Sequence, residues 1–182
     1  MLIALNLALG GIVAVLKLPI FLDSIGTILA VLILGWRAGA IVGILSFLIA
    51  SALISPVYIY FIGTQVVIAS FVWAAAKYFE VFRSLKRIIP SGIALGIIAG
   101  IVSAPVIVIV FGGVAGSGRD LITAALMKSG EQIISAVALS GIASEPIDKT
   151  IQILVAYFIL RSLPKKVLSN FDNPLLRKNN LI

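Results

Sequence analysis

The sequence predicts an all-α integral membrane protein of six transmembrane helices with both termini cytoplasmic. Three observations point there. Hydrophobic residues make up 61 % of the 182, charged residues only 12 %, and the mean hydropathy is +1.21. A water-soluble chain of this size is closer to half apolar and about a quarter charged, so this one lacks the polar residues to cover a wetted surface. The charges also fall between apolar stretches rather than along one amphipathic face. That distribution writes membrane topology and argues against nucleic-acid binding, despite a net charge of +7. Segments of alternating polarity, which a barrel would need, are missing.

A spanning helix needs about 17 to 25 mainly apolar residues. The first span is expected from Leu2 to Leu16, ending before Pro19; no basic leader with a small-residue cleavage site precedes it, so it is read as a span. The second runs from Phe21 to Leu34 and stops at Gly35-Trp36-Arg37. The third, Ala38 to Ile54, carries no charge. Ser55-Pro56 opens the fourth, to Ala76, and a basic connector follows from Lys77 to Arg87. The fifth lies within Ile88 to Gly113, with Pro105 as a kink.

Beyond Gly112-Gly113 the pattern is mixed. Arg119 to Lys128 and Glu131 to Ala143 are half-polar and short, which predicts an irregular, short-helical outer connection between the fifth and sixth spans. Ser144-Glu145-Pro146-Ile147-Asp148 then reads as a helix start, with a Ser cap, an early Pro and acids in the first turn. The last span reaches Leu160. Residues 1–168 thus form a single six-helix domain and 169–182 a polar C-terminal tail.

Six spans put both ends on one side. With that side inward, ten cations lie inside: Arg37, Lys77, Arg83, Lys86, Arg87, Arg161, Lys165, Lys166, Arg177 and Lys178. Lys17, Arg119 and Lys128 fall outside, with Lys149 near the start of the last helix. The asymmetry follows the positive-inside rule and predicts a multi-pass protein of the cell membrane.

Polar groups within membrane segments are costly and therefore candidates for function. Asp23, Ser24 and Thr27 open the second helix from outside, and either cap it or meet a ligand. Tyr58 and Tyr60 start the fourth helix as an interfacial belt or as a platform for an aromatic ring. Gln65, deeper, bonds a neighbouring helix or a ligand. Glu131 and Gln132, with Ser135 nearby, begin an apolar stretch as caps or ligand groups. Glu145, Asp148 and Lys149 form the densest charged cluster, in which Asp148 and Lys149 can pair with each other or with Asp23. Gly112, Gly113, Gly116 and Gly118 suit either turns or a gate. The chain has no cysteine and no histidine, which excludes disulfides, thiol nucleophiles and His-based metal or catalytic centres; no catalytic residues and no metal site are expected.

The stretch Leu18-Pro19-Ile20-Phe21-Leu22-Asp23-Ser24-Ile25-Gly26-Thr27, followed by Leu34-Gly35-Trp36-Arg37-Ala38-Gly39-Ala40-Ile41-Val42-Gly43, resembles the substrate-binding S component of energy-coupling factor (ECF) transporters. The Gly-rich outer connection and Pro146-Ile147-Asp148-Lys149 add to the resemblance. It implies a protein that binds a vitamin or precursor from outside. Delivery inward then follows with a membrane scaffold subunit (the T component) and two cytosolic ATPases. The ATP belongs to those partners, no cofactor is implied for this chain, and no phosphate-cradling Gly-x-x-x-x-Gly-Lys-Ser/Thr motif is present. Docking in that family uses an Ala-x-x-x-Ala stripe, matched by Ala4 and Ala8. The Leu-Asp-Ser-Ile-Gly-Thr and Asp-Lys elements look most like the hydroxymethylpyrimidine or pyridoxine branch, with riboflavin-type proteins as neighbours. A small, neutral, hydroxylated heteroaromatic ring is the implied ligand. A membrane sensor or scaffold that takes no solute is the alternative of a different class.

Overall fold

The structure, a computed structural model, describes residues 1–171 and 173–181; Asp172 and Ile182 of the tail lie outside the described residues. Among the described residues every regular element is helical. Helices α1 (Leu2–Val15), α2 (Ile25–Leu34) and α3 (Trp36–Leu53) are followed by a 3-10 turn, Pro56–Phe61, that leads into α4 (Ile62–Tyr78). A second short turn, Val81–Arg83, precedes α5 (Leu85–Phe111). Then come α6 (Asp120–Lys128), α7 (Ile133–Ser162), α8 (Lys165–Leu168) and α9 (Pro174–Lys178). Three stretches are long and apolar enough to cross a membrane: Trp36–Leu53, Pro56–Tyr78 and Leu85–Phe111. Their outward faces, with Ile41, Leu48, Ile97, Ile101 and Ile109 exposed, are apolar as a lipid-facing surface must be.

Helix α2 is the centre of the fold. Ile25 to Leu32 are all buried, and a helix that is hydrophobic all round belongs in the interior. It packs against α1, α3, α4 and α7. Gly35 stops it: its φ of 97° permits the reversal into α3, and its N–H still donates to the Val31 carbonyl at 3.0 Å. The helix starts at Ile25 rather than Phe21 because the N–H groups of Phe21 and Leu22 are held by a side chain of α7, and Leu22 has a φ of 50°.

Helices α5 and α7 run antiparallel on a small-residue seam. Gly92 faces Thr150, Gly96 faces Pro146 and Gly100 faces Gly141. The contact at Gly96 leaves no room for a methyl group. This seam also corrects the expected start of the last span. Residues 133–162 form one helix that passes straight through Pro146, and Ser144 does not cap it, its hydroxyl donating to the Ser140 carbonyl at 2.8 Å. The proline ring sits against Gly96, and packing there outweighs a local stop signal. The separate short helix expected over Glu131 to Ala143 is the first part of α7.

At the opposite end from α2's start, the tail folds back. Leu175, Leu176 and Leu181 of the tail are buried in the core beside Leu168, so the tail is polar in composition but apolar on one side. Asn179 accepts from the Phe82 N–H at 3.0 Å and donates to the Ala76 carbonyl at 3.0 Å. Asn173 donates to the Val31 and Leu32 carbonyls at 3.1 and 2.9 Å, satisfying the free end of α2. The basic connector lies on this side, where a hydrogen bond and charge from Arg83, with Arg87 beside it, hold the Glu80 carboxyl below its ordinary range.

Candidate binding site

A cavity of about 380 Å³ opens at the N-terminal end of α2, within the volume range of small-molecule sites, about 300 to 1,000 Å³. Its walls are α1, the loop before α2, α3, the 3-10 turn and α4, α5, α7 and the loop 115–118. The rings of Phe21, Phe47, Tyr58 and Phe61 line it, with Phe47 and Tyr58 edge to face at 5.2 Å. Two loops meet over its outer side: Lys17 Nζ donates to the Gly116 carbonyl at 3.3 Å, and Gly118 lies against the backbone carbonyls of Lys17 and Leu18 with no space for a side chain.

One wall is charged. Lys149, 3 % exposed, lies 2.6 Å from Asp148, 3.7 Å from Asp23 and 3.7 Å from Glu145. Asp148 is saturated by donors, since it also accepts from the N–H groups of Phe21 (2.9 Å) and Leu22 (3.0 Å) and from Gln152 (2.7 Å). Arg119, buried just before α6, reaches inward to Glu145 at 3.4 Å, Ser140 at 3.1 Å and the Val137 carbonyl at 2.6 Å. It ties the connection that follows α5 to α7.

Beneath this wall runs a chain of buried polar side chains. Asn6 donates to Thr27 (3.0 Å) and Ser46 (3.1 Å) and accepts from the Gly26 N–H (2.6 Å). Thr27 donates to Gln65 (3.0 Å), Gln65 to Ser24 (2.8 Å), and Ser24 to Asp23 (2.8 Å). The chain couples α1, α2, α3 and α4 and ends on a carboxylate that lines the cavity. A connected network of this kind orders every member.

Of the residues singled out in the sequence, Asp23, Tyr58, Gln65 and Lys149 line the cavity. Ser24, Thr27 and Asp148 stand directly behind them as buried supports. Ser24 occupies the cap position of α2, but its hydroxyl serves Asp23 and Gln65 instead of the helix end. Glu131 and Gln132 are elsewhere: both are exposed, Glu131 accepts from Ser135 at 2.6 Å, and neither borders the cavity. Ala4 and Ala8 are exposed on α1. Tyr60 is exposed and packs on Phe111 at 5.3 Å.

Sequence reasoning missed Arg119 and Asn6, and it placed Glu145 in a charged cluster without assigning it to the site. Asn6 carried a signal, being the one strongly polar side chain in an otherwise apolar first helix. Arg119 carried none, because a cation after a glycine loop looks solvated until the fold turns it inward.

Comparison of the chain with protein-family models, with curated proteins and with solved structures yields no match.

Proposed function

We propose that this chain is the substrate-binding S component of an ECF-type vitamin uptake transporter, taking a small vitamin or precursor from outside. The observation that carries the reading is the aromatic cavity with buried charges at one end of a helical bundle. Pyridoxine or hydroxymethylpyrimidine is the favoured ligand class, since a flat hydroxylated ring suits the Phe47 and Tyr58 faces together with Asp23 and Lys149. Delivery would use a membrane scaffold subunit and two cytosolic ATPases, with Ala4 and Ala8, exposed on α1, as the docking stripe.

In this reading α1, α2, α3, α4, α5 and α7 cross the cell membrane six times, with both termini inside. Helix α2 is only 10 residues long, about half of the ~30 Å core. The segment 21–24, half-buried at Phe21 and Leu22 and buried at Asp23 and Ser24, continues it outward and Asn173 caps it inward, which suits irregular backbone packed against protein. The basic connector and the tail lie at the end away from the cavity, in keeping with an inward basic side.

Two experiments test the proposal. The chain has no cysteine, so Ser84→Cys and Ser129→Cys report sidedness. In intact cells an impermeant maleimide should label only the Ser129→Cys variant, and the reverse pattern would sink the orientation. Native mass spectrometry and uptake assays then address the solute. Retention of a small molecule and co-purification with ATPase subunits support capture for transport. Retention of riboflavin, with pyridoxine and hydroxymethylpyrimidine both inert, moves the chain to the riboflavin type. A protein that carries no solute and pulls down no ATPase is a sensor or scaffold.

A further inference from the structure

The buried charges around the cavity do not balance, and the imbalance falls on one residue. Five ionisable side chains are buried at this wall: Asp23, Glu145 and Asp148 against Arg119 and Lys149. Lys149 is committed to Asp148 at 2.6 Å. Arg119 is the other cation beside Glu145, at 3.4 Å. Asp23 is left over. The nearest cation to it is Lys149, 3.7 Å away and already in its shorter pair.

Asp23 is only 8 % exposed and lines the cavity. Its Oδ1 accepts from Ser24, but Oδ2 accepts no hydrogen bond from another described residue. It stands two positions before the first residue of α2, where the helix dipole favours the ionised carboxylate. Lys17 also lines the cavity, but it is solvent-exposed and its Nζ donates to the Gly116 carbonyl, so its charge is screened and turned to the loop rather than to Asp23. A buried carboxylate without a committed cation is costly, and a ligand that brings a positive charge removes that cost. Aromatic rings around the cavity, Phe21, Phe47, Tyr58 and Phe61, offer the faces that attract a cation.

We propose that the cavity selects a small aromatic cation, a protonated amine or nitrogen heterocycle, whose positive nitrogen pairs with Asp23 Oδ2 while its ring lies among Phe47, Tyr58 and Phe61. This rests on the capture reading and sharpens it, replacing the neutral ring expected from the sequence with a charged one. Arg119 and Lys149 do not oppose such a ligand, because each is paired with its own carboxylate.

The test is calorimetric titration of the purified full chain in detergent with three matched probes: benzylammonium, benzyl alcohol and benzoate. Benzylammonium should bind on the order of tenfold tighter than benzyl alcohol, with benzoate weakest. Asp23→Asn, which keeps an acceptor for the Ser24 hydroxyl, should erase the advantage of the cation over benzyl alcohol. Glu131→Gln, which neutralises an exposed carboxylate that does not border the cavity, should retain it. Equal binding of cation and alcohol, tighter binding of benzoate, binding of none of the three, or an undiminished preference in Asp23→Asn each overturns the assignment. The capture reading fails separately, by the absence of any retained solute and of any ATPase partner.

Discussion

Leu22 and Asp148 are 126 positions apart, and the N–H of Leu22 donates to Asp148 Oδ1 at 3.0 Å. Leu22 has a φ of 50°, a conformation that a branched side chain seldom adopts. The carboxylate therefore holds the loop before α2 in a strained form and at the same time anchors Lys149. Asp148→Ala removes four hydrogen-bond partners and strands Lys149. It should lower stability by about 3–5 kcal/mol, and Asp148→Asn, which keeps the acceptor for the two N–H groups, by less. Thermal unfolding of the detergent-solubilised variants measures both, and equal effects would show that the charge alone matters.

The seam between α5 and α7 should be intolerant of a single methyl group. Gly96→Ala drives its Cβ into the Pro146 backbone and should cost about 1–3 kcal/mol. Gly63, near the start of α4, has open space where a Cβ would be. Gly63→Ala should be neutral or stabilising by up to about 1 kcal/mol. A scan of melting temperatures over the two variants separates crowding from a general glycine effect.

Release of the tail should follow loss of Asn179. Asn179→Ala leaves the Phe82 N–H and the Ala76 carbonyl without partners, a loss of about 1–3 kcal/mol for each buried orphan. Limited trypsin digestion at Lys165 and Lys166 should become faster than in the parent chain. An unchanged cleavage rate would mean that Leu168, Leu175 and Leu176 alone retain the tail.

Arg119 should act as the latch of the outer connection. Arg119→Met keeps much of the apolar bulk and removes the bonds to Val137, Ser140 and Glu145. In a Ser117→Cys background, otherwise free of thiols, maleimide labelling should accelerate several-fold. Arg119→Lys should fall between, since a single ammonium cannot reach three acceptors in the same geometry. Labelling that is equally fast in all three would place the restraint in the backbone contact at Gly118.

Much of the helix pattern was legible because a long apolar run must satisfy its backbone hydrogen bonds within itself. A run such as Ala38 to Ile54 has no other stable fate, and Gly35 before Trp36 marks a reversal by its missing side chain. Asp23, Gln65 and Lys149 were legible as site residues for the same reason: polar groups among apolar ones must be satisfied by something. Arg119 was not, and neither was the role of Glu145, because both depend on α6 folding back onto α7. The cap reading of Ser144 failed on similar grounds. A local signal of about 1 kcal/mol yields to a packed seam lined by three glycines of α5 and one of α7.

The sequence by itself determined a helical, membrane-adapted chain without thiol or imidazole chemistry, since composition and apolar run length decide which solvent a chain can bear. Only the tertiary structure decided that, among the described residues, the nearest cation to Asp23 is Lys149, which pairs more closely with Asp148. That fact depends on which carboxylate lies 2.6 Å from Lys149 and which lies 3.7 Å away. Charge pairing in a buried site is steep in distance, and distances between residues 126 positions apart are set by how helices pack, not by their order along the chain.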